Sequence, residues 1–297
     1  MNPLALWLDH LLPSRLIHHL GRKPLPCTYR EVWIPTRKGG QLYAHFHYPV
    51  VQGDVPAVVF VPGGPSCGTD YDKSGAEIQP DILAALGFAV VHYDPSGRGK
   101  TGGEENFWGT EHQDELVDVL RWVHARPEVR KNSLTILSFS IGITISAGAL
   151  ARHADELSFV SMLFDWEGPS NRFNITKNDT HPPLQSFPTS DNTFWREREA
   201  CRFIDKITCG YFRYQAQQDH MQGSRKEHAL ELMNLATQGG AAWTQLNHNP
   251  RNILYSVPVA DECWIPSKKT DKVQLLRSFL SVAENQGHEQ KRKHKEK

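Results

Sequence analysis

Short apolar runs alternate with amphipathic stretches along most of the chain. Residues 56–62, 88–93, 133–137 and 157–164 are compact runs rich in apolar residues, which is typical of strands buried within a sheet. Between them, residues 74–87, 111–126 and 141–151 carry apolar residues at helical spacing. Strands that alternate with helices favour a parallel sheet with right-handed crossovers.

The two ends of this pattern predict further elements. Residues 30–34 and 42–48 read as strands joined by a hairpin at Lys38-Gly39-Gly40. Near the other end, residues 211–215 and 242–246 predict strands, with a helix at 227–236 between them. From 168 to 205 the chain is polar and rich in Pro, Asn and Thr, with a charged helix near 194–203. We interpret this segment as an insertion over the sheet.

These patterns divide the chain into three parts. Residues 1–28 predict an N-terminal amphipathic helix, because Leu4, Leu8, Leu11 and Leu12 recur at helical spacing. Residues 29–284 predict one α/β domain, with a short lid insertion at about 168–206. Residues 285–297 are basic and predict a disordered tail.

Composition and charge exclude several classes of protein. The 297 residues carry 33 Lys and Arg against 33 Asp and Glu, so no electropositive excess indicates a nucleic-acid partner. No stretch approaches the roughly 18 apolar residues of a membrane span. The N-terminus lacks a basic region before its leucines, which disfavours a secretory signal. Five scattered cysteines fit reduced thiols in a cytoplasm. Oligomeric state is left open.

Ser140 is the strongest candidate for a catalytic side chain. It lies in Leu137-Ser138-Phe139-Ser140-Ile141-Gly142, directly between a predicted strand and a predicted helix. A nucleophile exposed at such a tight turn needs small residues two positions before and after it, as in the pattern G-x-S-x-G. Ser138 replaces the first glycine here, and Gly142 supplies the second.

Two upstream loops strengthen this interpretation. Residues 60–65 read Phe-Val-Pro-Gly-Gly-Pro after a buried strand, and residues 93–101 read Tyr-Asp-Pro-Ser-Gly-Arg-Gly-Lys-Thr. With the serine turn, these loops resemble the α/β-hydrolase superfamily over roughly residues 30–279, and their motifs are nearest the proline-iminopeptidase branch. The resemblance implies a mostly parallel sheet flanked by helices, a serine nucleophile and an oxyanion hole formed by backbone amides. We assign those amides to Gly64 and Ile141.

A serine hydrolase also needs a base and an acid, which in this superfamily follow the serine in the order acid, then histidine. Asp219 matches the acid position after the predicted strand 211–215, and His248 matches the base after the last strand. Four other residues remain open. His220 and His228 are alternative bases, and Asp165 and Glu167, at the end of the preceding strand, are alternative acids.

The sequence therefore predicts a cytoplasmic serine hydrolase that cleaves an ester or amide bond in a small-molecule or peptide substrate. The expected triad is Ser140, Asp219 and His248, acting through an acyl-enzyme without a cofactor. No metal site is expected, since His181 and His220 are solitary histidines. The alternative is a hydrolase-like protein without turnover that serves as a binding or interaction protein.

Overall fold

A computed structural model of the protein describes residues 16–176, 187–220, 225–266 and 271–295. Eight strands form one sheet in the order β1-β2-β4-β3-β5-β6-β7-β8. The pairings β1–β2 and β2–β4 are antiparallel and the remaining five are parallel. The strands are β1 Cys27–Pro35, β2 Gln41–Pro49, β3 Val55–Val61, β4 Ala89–Tyr93, β5 Val129–Phe139, β6 Val160–Trp166, β7 Gly210–Tyr214 and β8 Thr244–Leu246.

Helices cover both faces of this sheet. They are α1 Pro80–Ala85, α2 Thr110–His124, α3 Gly142–Arg152, α4 Arg172–Thr176, α5 Asn192–Trp195, α6 Glu227–Gln238 and α7 Lys272–Lys295. Alternate residues of β3 point to opposite faces, so Val59 packs in the core beneath α2 and α3 while Phe60 packs in the core beneath α1 and α7. Because both faces are covered, β3 is apolar along its whole length.

Most predicted elements are present, and three differ. The helix expected at 74–87 is limited to α1, which begins with Pro80 at its first turn and ends before Gly87 at φ 101°. The charged helix expected at 194–203 is replaced by α5 and two 3₁₀ turns, because the Arg198 guanidinium bonds to the Phe107 and Phe194 carbonyls rather than facing solvent. The tail at 285–297 was expected to be disordered, but α7 continues as a helix to Lys295.

The N-terminal helix expected at 1–28 falls largely outside the described residues. Within them, residues 16–19 form one helical turn, and Ile17 is buried in the core beneath α1 and α7. Strand β1 begins at Cys27, so the boundary expected at residue 28 falls inside that strand. Among the described residues, no helix combines the length and apolar character that crossing a bilayer requires.

Candidate active site

Ser140 lies at the tight turn between β5 and α3. Its φ is 51°, a left-handed conformation that a serine adopts only under local constraint, and its amide donates to the Trp166 carbonyl at 2.9 Å. The turn leaves no room for larger neighbours. A side chain at Gly142 would come within 2.8 Å of the Pro62 carbonyl oxygen, and one at Gly63 within 2.5 Å of the Phe139 carbonyl oxygen. This packing holds the serine at the carboxyl edge of the sheet.

His220 and Glu167 complete a hydrogen-bonded chain with Ser140. The His220 Nε2 lies 2.9 Å from Ser140 Oγ, and its Nδ1 lies 2.9 Å from Glu167 Oε2. We assign the proton to Nδ1, which donates to the Glu167 carboxylate, so that Nε2 presents its lone pair to the serine hydroxyl. Trp166 stacks on the imidazole with ring centroids 4.5 Å apart and fixes its plane.

Glu167 is held rigidly behind the histidine. Its side chain is 2% exposed, and Oε1 accepts the Ala216 amide at 2.9 Å. The His220 amide reaches Oε2 at 3.3 Å, and the Glu167 φ of 51° turns the side chain off the end of β6. The carboxyl group is therefore buried with both oxygens hydrogen-bonded, as an acid that orients a base must be.

Asp219 and His248 are not brought together with Ser140. Asp219 Oδ2 lies 3.2 Å from His228 Nε2 and accepts from Gln215 at 2.9 Å, while its Oδ1 is 3.6 Å from His220 Nδ1. Burial alone would raise the pKa of Asp219, but the hydrogen bond and charge of His228 outweigh it and lower the pKa. Asp219 thus supports the site from behind and is not the residue whose carboxylate is bonded to His220.

The sheet order explains why His248 lies elsewhere. Strands are spaced about 4.8 Å apart, so the loop after β7 starts roughly 10 Å from β5 and the loop after β8 roughly 14 Å away. Directly after β8, the Asn247 side chain bonds to the Gln215 amide and carbonyl, both at 2.9 Å, and closes a turn. His248 then lies exposed in a separate surface groove with Arg277 and Ser278.

The other two alternatives have different partners. Asp165 is fully buried and bonds to Arg213 Nη1 at 2.6 Å and to the Tyr211 hydroxyl at 2.8 Å. His228 lines the cavity, but its Nδ1 faces the Gly168 carbonyl at 3.1 Å. These side chains form a buried polar network behind the Glu167–His220 pair.

The loop after β3 places Gly64 beside the serine. Gly64 and Ile141 both line the cavity that contains Ser140. The Gly64 carbonyl accepts from Arg98 Nη1 at 2.8 Å and from Trp108 Nε1 at 3.2 Å. Burial would raise the pKa of Glu105, but its two bonds with Arg98 lower it, so this pair is charged. The turn at residues 93–101 thus anchors the glycine loop, a role that the sequence did not reveal.

A cavity of about 500 Å³ opens onto Ser140 and His220. Its walls are mainly apolar and include Phe139, Trp166 and Ile175, with Glu77 as one of the acidic side chains. The insertion contributes Pro169, Asn174 and Ile175 to this wall. The cavity is large enough for a small substrate, and its reactive groups lie on one side.

Two groups of side chains in the described residues have the spacing of metal ligands. One is Glu167, Asp219 and His220. There the His220 nitrogens already face Ser140 and Glu167, which leaves neither free for a cation. The other is His45, His47, Asp72 and His92, which lies apart from the cavity.

Comparisons with known proteins bear on the fold. The profile of the family described as X-Pro dipeptidyl-peptidase (S15 family) matches residues 38–181. No curated protein is significantly similar in sequence.

Three solved structures resemble the chain at low identity. A dipeptidyl peptidase 4 from Porphyromonas gingivalis has a TM-score of 0.60 and 14% identity, covering 75% of this chain and 32% of that one. An acylaminoacyl peptidase from Pyrococcus horikoshii has a TM-score of 0.56 and 14% identity, covering 77% and 38%. An esterase from Pyrococcus furiosus has a TM-score of 0.60 and 15% identity, covering 89% and 92%. The chain thus spans about a third of the length of the two peptidases and most of the length of the esterase.

Sheet order, serine turn and comparisons together define the fold of the protein. The chain has the α/β-hydrolase fold, and the predicted fold is confirmed. The sheet is mostly parallel and flanked by helices, as the motifs implied. Many enzymes with this fold hydrolyse ester or amide bonds with a serine nucleophile.

Proposed function

We propose that this protein hydrolyses ester or amide bonds with Ser140 as nucleophile, His220 as general base and Glu167 as the acid that orients the base. The observation that carries this proposal is the pair of 2.9 Å hydrogen bonds that link Ser140 Oγ, the His220 ring and Glu167. The chain order serine, acid, histidine is that of the superfamily. The acid follows β6 and the base follows β7, each one strand earlier than for the pair expected from sequence, Asp219 and His248.

The proposed reaction has two stages. His220 Nε2 takes the proton of Ser140 as Oγ attacks the carbonyl carbon, and the Gly64 and Ile141 amides bind the oxyanion. The imidazolium is stabilised by Glu167 and protonates the leaving alcohol or amine. His220 then takes a proton from water, which attacks the acyl-enzyme and releases the acid with Ser140 restored.

The substrate class is also a proposal. The cavity of about 500 Å³ with apolar walls suits a small acyl group rather than a long polymer. The family match suggests amide bonds next to proline, and the esterase likeness suggests simple esters. A panel of p-nitrophenyl esters and X-Pro p-nitroanilides, compared by kcat/KM, distinguishes these two. A cytoplasmic location remains a prediction, supported by five free thiols.

Reaction with a fluorophosphonate probe tests the proposal without knowledge of the substrate, because only an activated serine reacts rapidly. We expect rapid labelling of the native protein, none in Ser140→Ala, and a large loss in His220→Ala. The matched control is His248→Ala, an exposed histidine outside the cavity, which should label at the native rate. Absence of labelling in the folded native protein would favour the non-catalytic binding protein instead. Loss in His248→Ala with normal labelling in His220→Ala would refute the proposed base.

A further inference from the structure

Three histidines and an aspartate converge at a place that the proposed reaction does not use. His45 and His47 lie on β2, His92 lies on β4, and Asp72 ends the 3₁₀ helix Gly68–Asp72. One ligand atom from each of the four lies within 4.8 Å of the corresponding atoms of the others. None of the four lines the cavity that contains Ser140.

The strand pairing brings the three imidazoles to one face of the sheet. Side chains two residues apart on a strand point the same way, so His45 and His47 share a face. His45 is the register partner of His92 in the antiparallel pair β2–β4, and directly opposed side chains lie on the same face. The His-x-His spacing is visible in the sequence, but the partner strand is not.

The distances between the polar atoms match a metal centre. His47 Nε2 and His92 Nε2 are 3.0 Å apart, and they lie 3.5 Å and 3.2 Å from Asp72 Oδ1. A tetrahedral zinc ion with bonds of about 2.0–2.1 Å places its ligands about 3.3–3.4 Å from one another. The three atoms therefore already form a triangle of the size of one face of such a site.

His45 adds a fourth donor with a supporting hydrogen bond. Its Nδ1 lies 2.8 Å from Asp72 Oδ2, while its Nε2 lies 2.8 Å from the Tyr43 hydroxyl. A second partner of this kind orients the rings of metal-bound histidines. Tyr29 stacks on the His47 ring with centroids 5.2 Å apart and covers that side of the cluster.

The burial of the cluster also suits a cation. The His92 side chain is fully buried and that of His47 is 9% exposed, whereas Asp72 is 34% exposed and leaves a path for entry.

We propose that His45, His47, His92 and Asp72 bind a zinc ion in a closed, four-coordinate structural site. Four protein ligands leave no open position for catalysis. Binding places the lone pairs of three nitrogens and one carboxylate oxygen on the metal and releases any protons held on those nitrogens. The ion ties the 3₁₀ helix to β2 and β4. Tyr71 in this helix packs on Phe139 with ring centroids 4.7 Å apart, so the same tie supports the wall of the cavity.

Zinc binding by the full-length protein tests this proposal independently of hydrolysis. After removal of metal with a chelator, Zn²⁺ is titrated in competition with a chromophoric chelator, and melting is followed with Zn²⁺ or Mg²⁺. We expect one Zn²⁺ per chain, a higher Tm with Zn²⁺ but not with Mg²⁺, and the intense visible bands of tetrahedral Co²⁺ on cobalt substitution. The double variant His47→Ala/His92→Ala should bind Zn²⁺ about 100-fold more weakly or worse.

Two further variants make the test decisive. Asp72→Asn keeps the shape of a partly exposed side chain, so it should fold, and it should also weaken Zn²⁺ binding strongly. The control His153→Ala removes a histidine that pairs with Asp114 and Glu156 at the surface, and it should bind Zn²⁺ normally. Zn²⁺ binding that is unchanged in Asp72→Asn and in the double variant would overturn the proposal. So would a native protein that neither binds Zn²⁺ nor gains Tm, since the cluster would then be a hydrogen-bonded network only.

Discussion

Replacing Glu167 by glutamine is the sharpest test of how the site is arranged. Both carboxylate oxygens face hydrogen-bond donors: Oε1 faces the Ala216 amide, and Oε2 faces the amide and the Nδ1 of His220. Glutamine has only one acceptor oxygen, so its NH₂ group must meet a donor in either orientation. If the NH₂ group faces His220, it meets the Nδ1–H group, and two donors oppose each other. The ring avoids this only by carrying its proton on Nε2 instead of Nδ1. That tautomer cannot accept the proton of Ser140.

The size of the effect follows from this geometry. Amide replacement of the acid in a serine-protease triad lowers kcat by roughly 10⁴, and the same wrong tautomer is forced here. We expect a similar loss of about 10⁴-fold, which corresponds to about 5 kcal/mol of transition-state stabilisation. Any orientation that leaves an N–H group against another buried N–H also destabilises the fold, by about 1–3 kcal/mol.

The rate constant for fluorophosphonate labelling measures this loss, and urea unfolding measures the change in stability. Asp219→Asn is the matched control, because it changes a buried carboxylate next to His220 that is bonded to His228 and Gln215 instead. It should slow labelling much less than Glu167→Gln. Native-like labelling of folded Glu167→Gln, or a larger loss in Asp219→Asn, would refute Glu167 as the orienting acid.

Three further substitutions probe the surroundings of the site. Arg98→Lys loses the paired bonds to Glu105 and the guanidinium bond to the Gly64 carbonyl, so kcat should fall about 100-fold with little change in KM. An unchanged kcat would contradict this positioning role. Burial raises the pKa of Glu115 to about 7, so its charged form opposes folding, and native stability is lost as pH rises from about 4.5 to 7. In urea unfolding at pH 8, Glu115→Gln should therefore be more stable than the native protein by up to about 3 kcal/mol. At pH 4 the two proteins should be equally stable. Ser138→Ala removes a buried hydroxyl without a partner among the described residues, and should raise the free energy of unfolding by about 1 kcal/mol while fluorophosphonate labelling persists. A lower free energy of unfolding would show that the fold needs this hydroxyl.

The sequence by itself determined the sheet and the tight turn at Ser140, because both depend on local chemistry. Fully apolar runs such as residues 56–62 form strands only where both faces are covered, and they appear as β3 and its neighbours. The turn at Ser140 requires small residues at fixed offsets, which can be read directly from the chain. The family resemblance rested on these motifs and led to the correct fold.

Only the tertiary structure decided which residues meet Ser140. The sequence left five candidates besides His248, and its preferred pair sits on the loops after β7 and β8. Strand order places β6 beside β5 and β7 one strand further, so Glu167 and His220 reach the serine. The next strand, β8, lies beyond them, and the turn at Asn247 directs His248 to the surface. The histidine cluster also depends on strand order. Alternation of side chains along β2 places His45 and His47 on one face, but only the pairing of β2 with β4 brings His92 to them. Contacts between residues distant in sequence are set by strand order and loop path, and neither is encoded in any short segment.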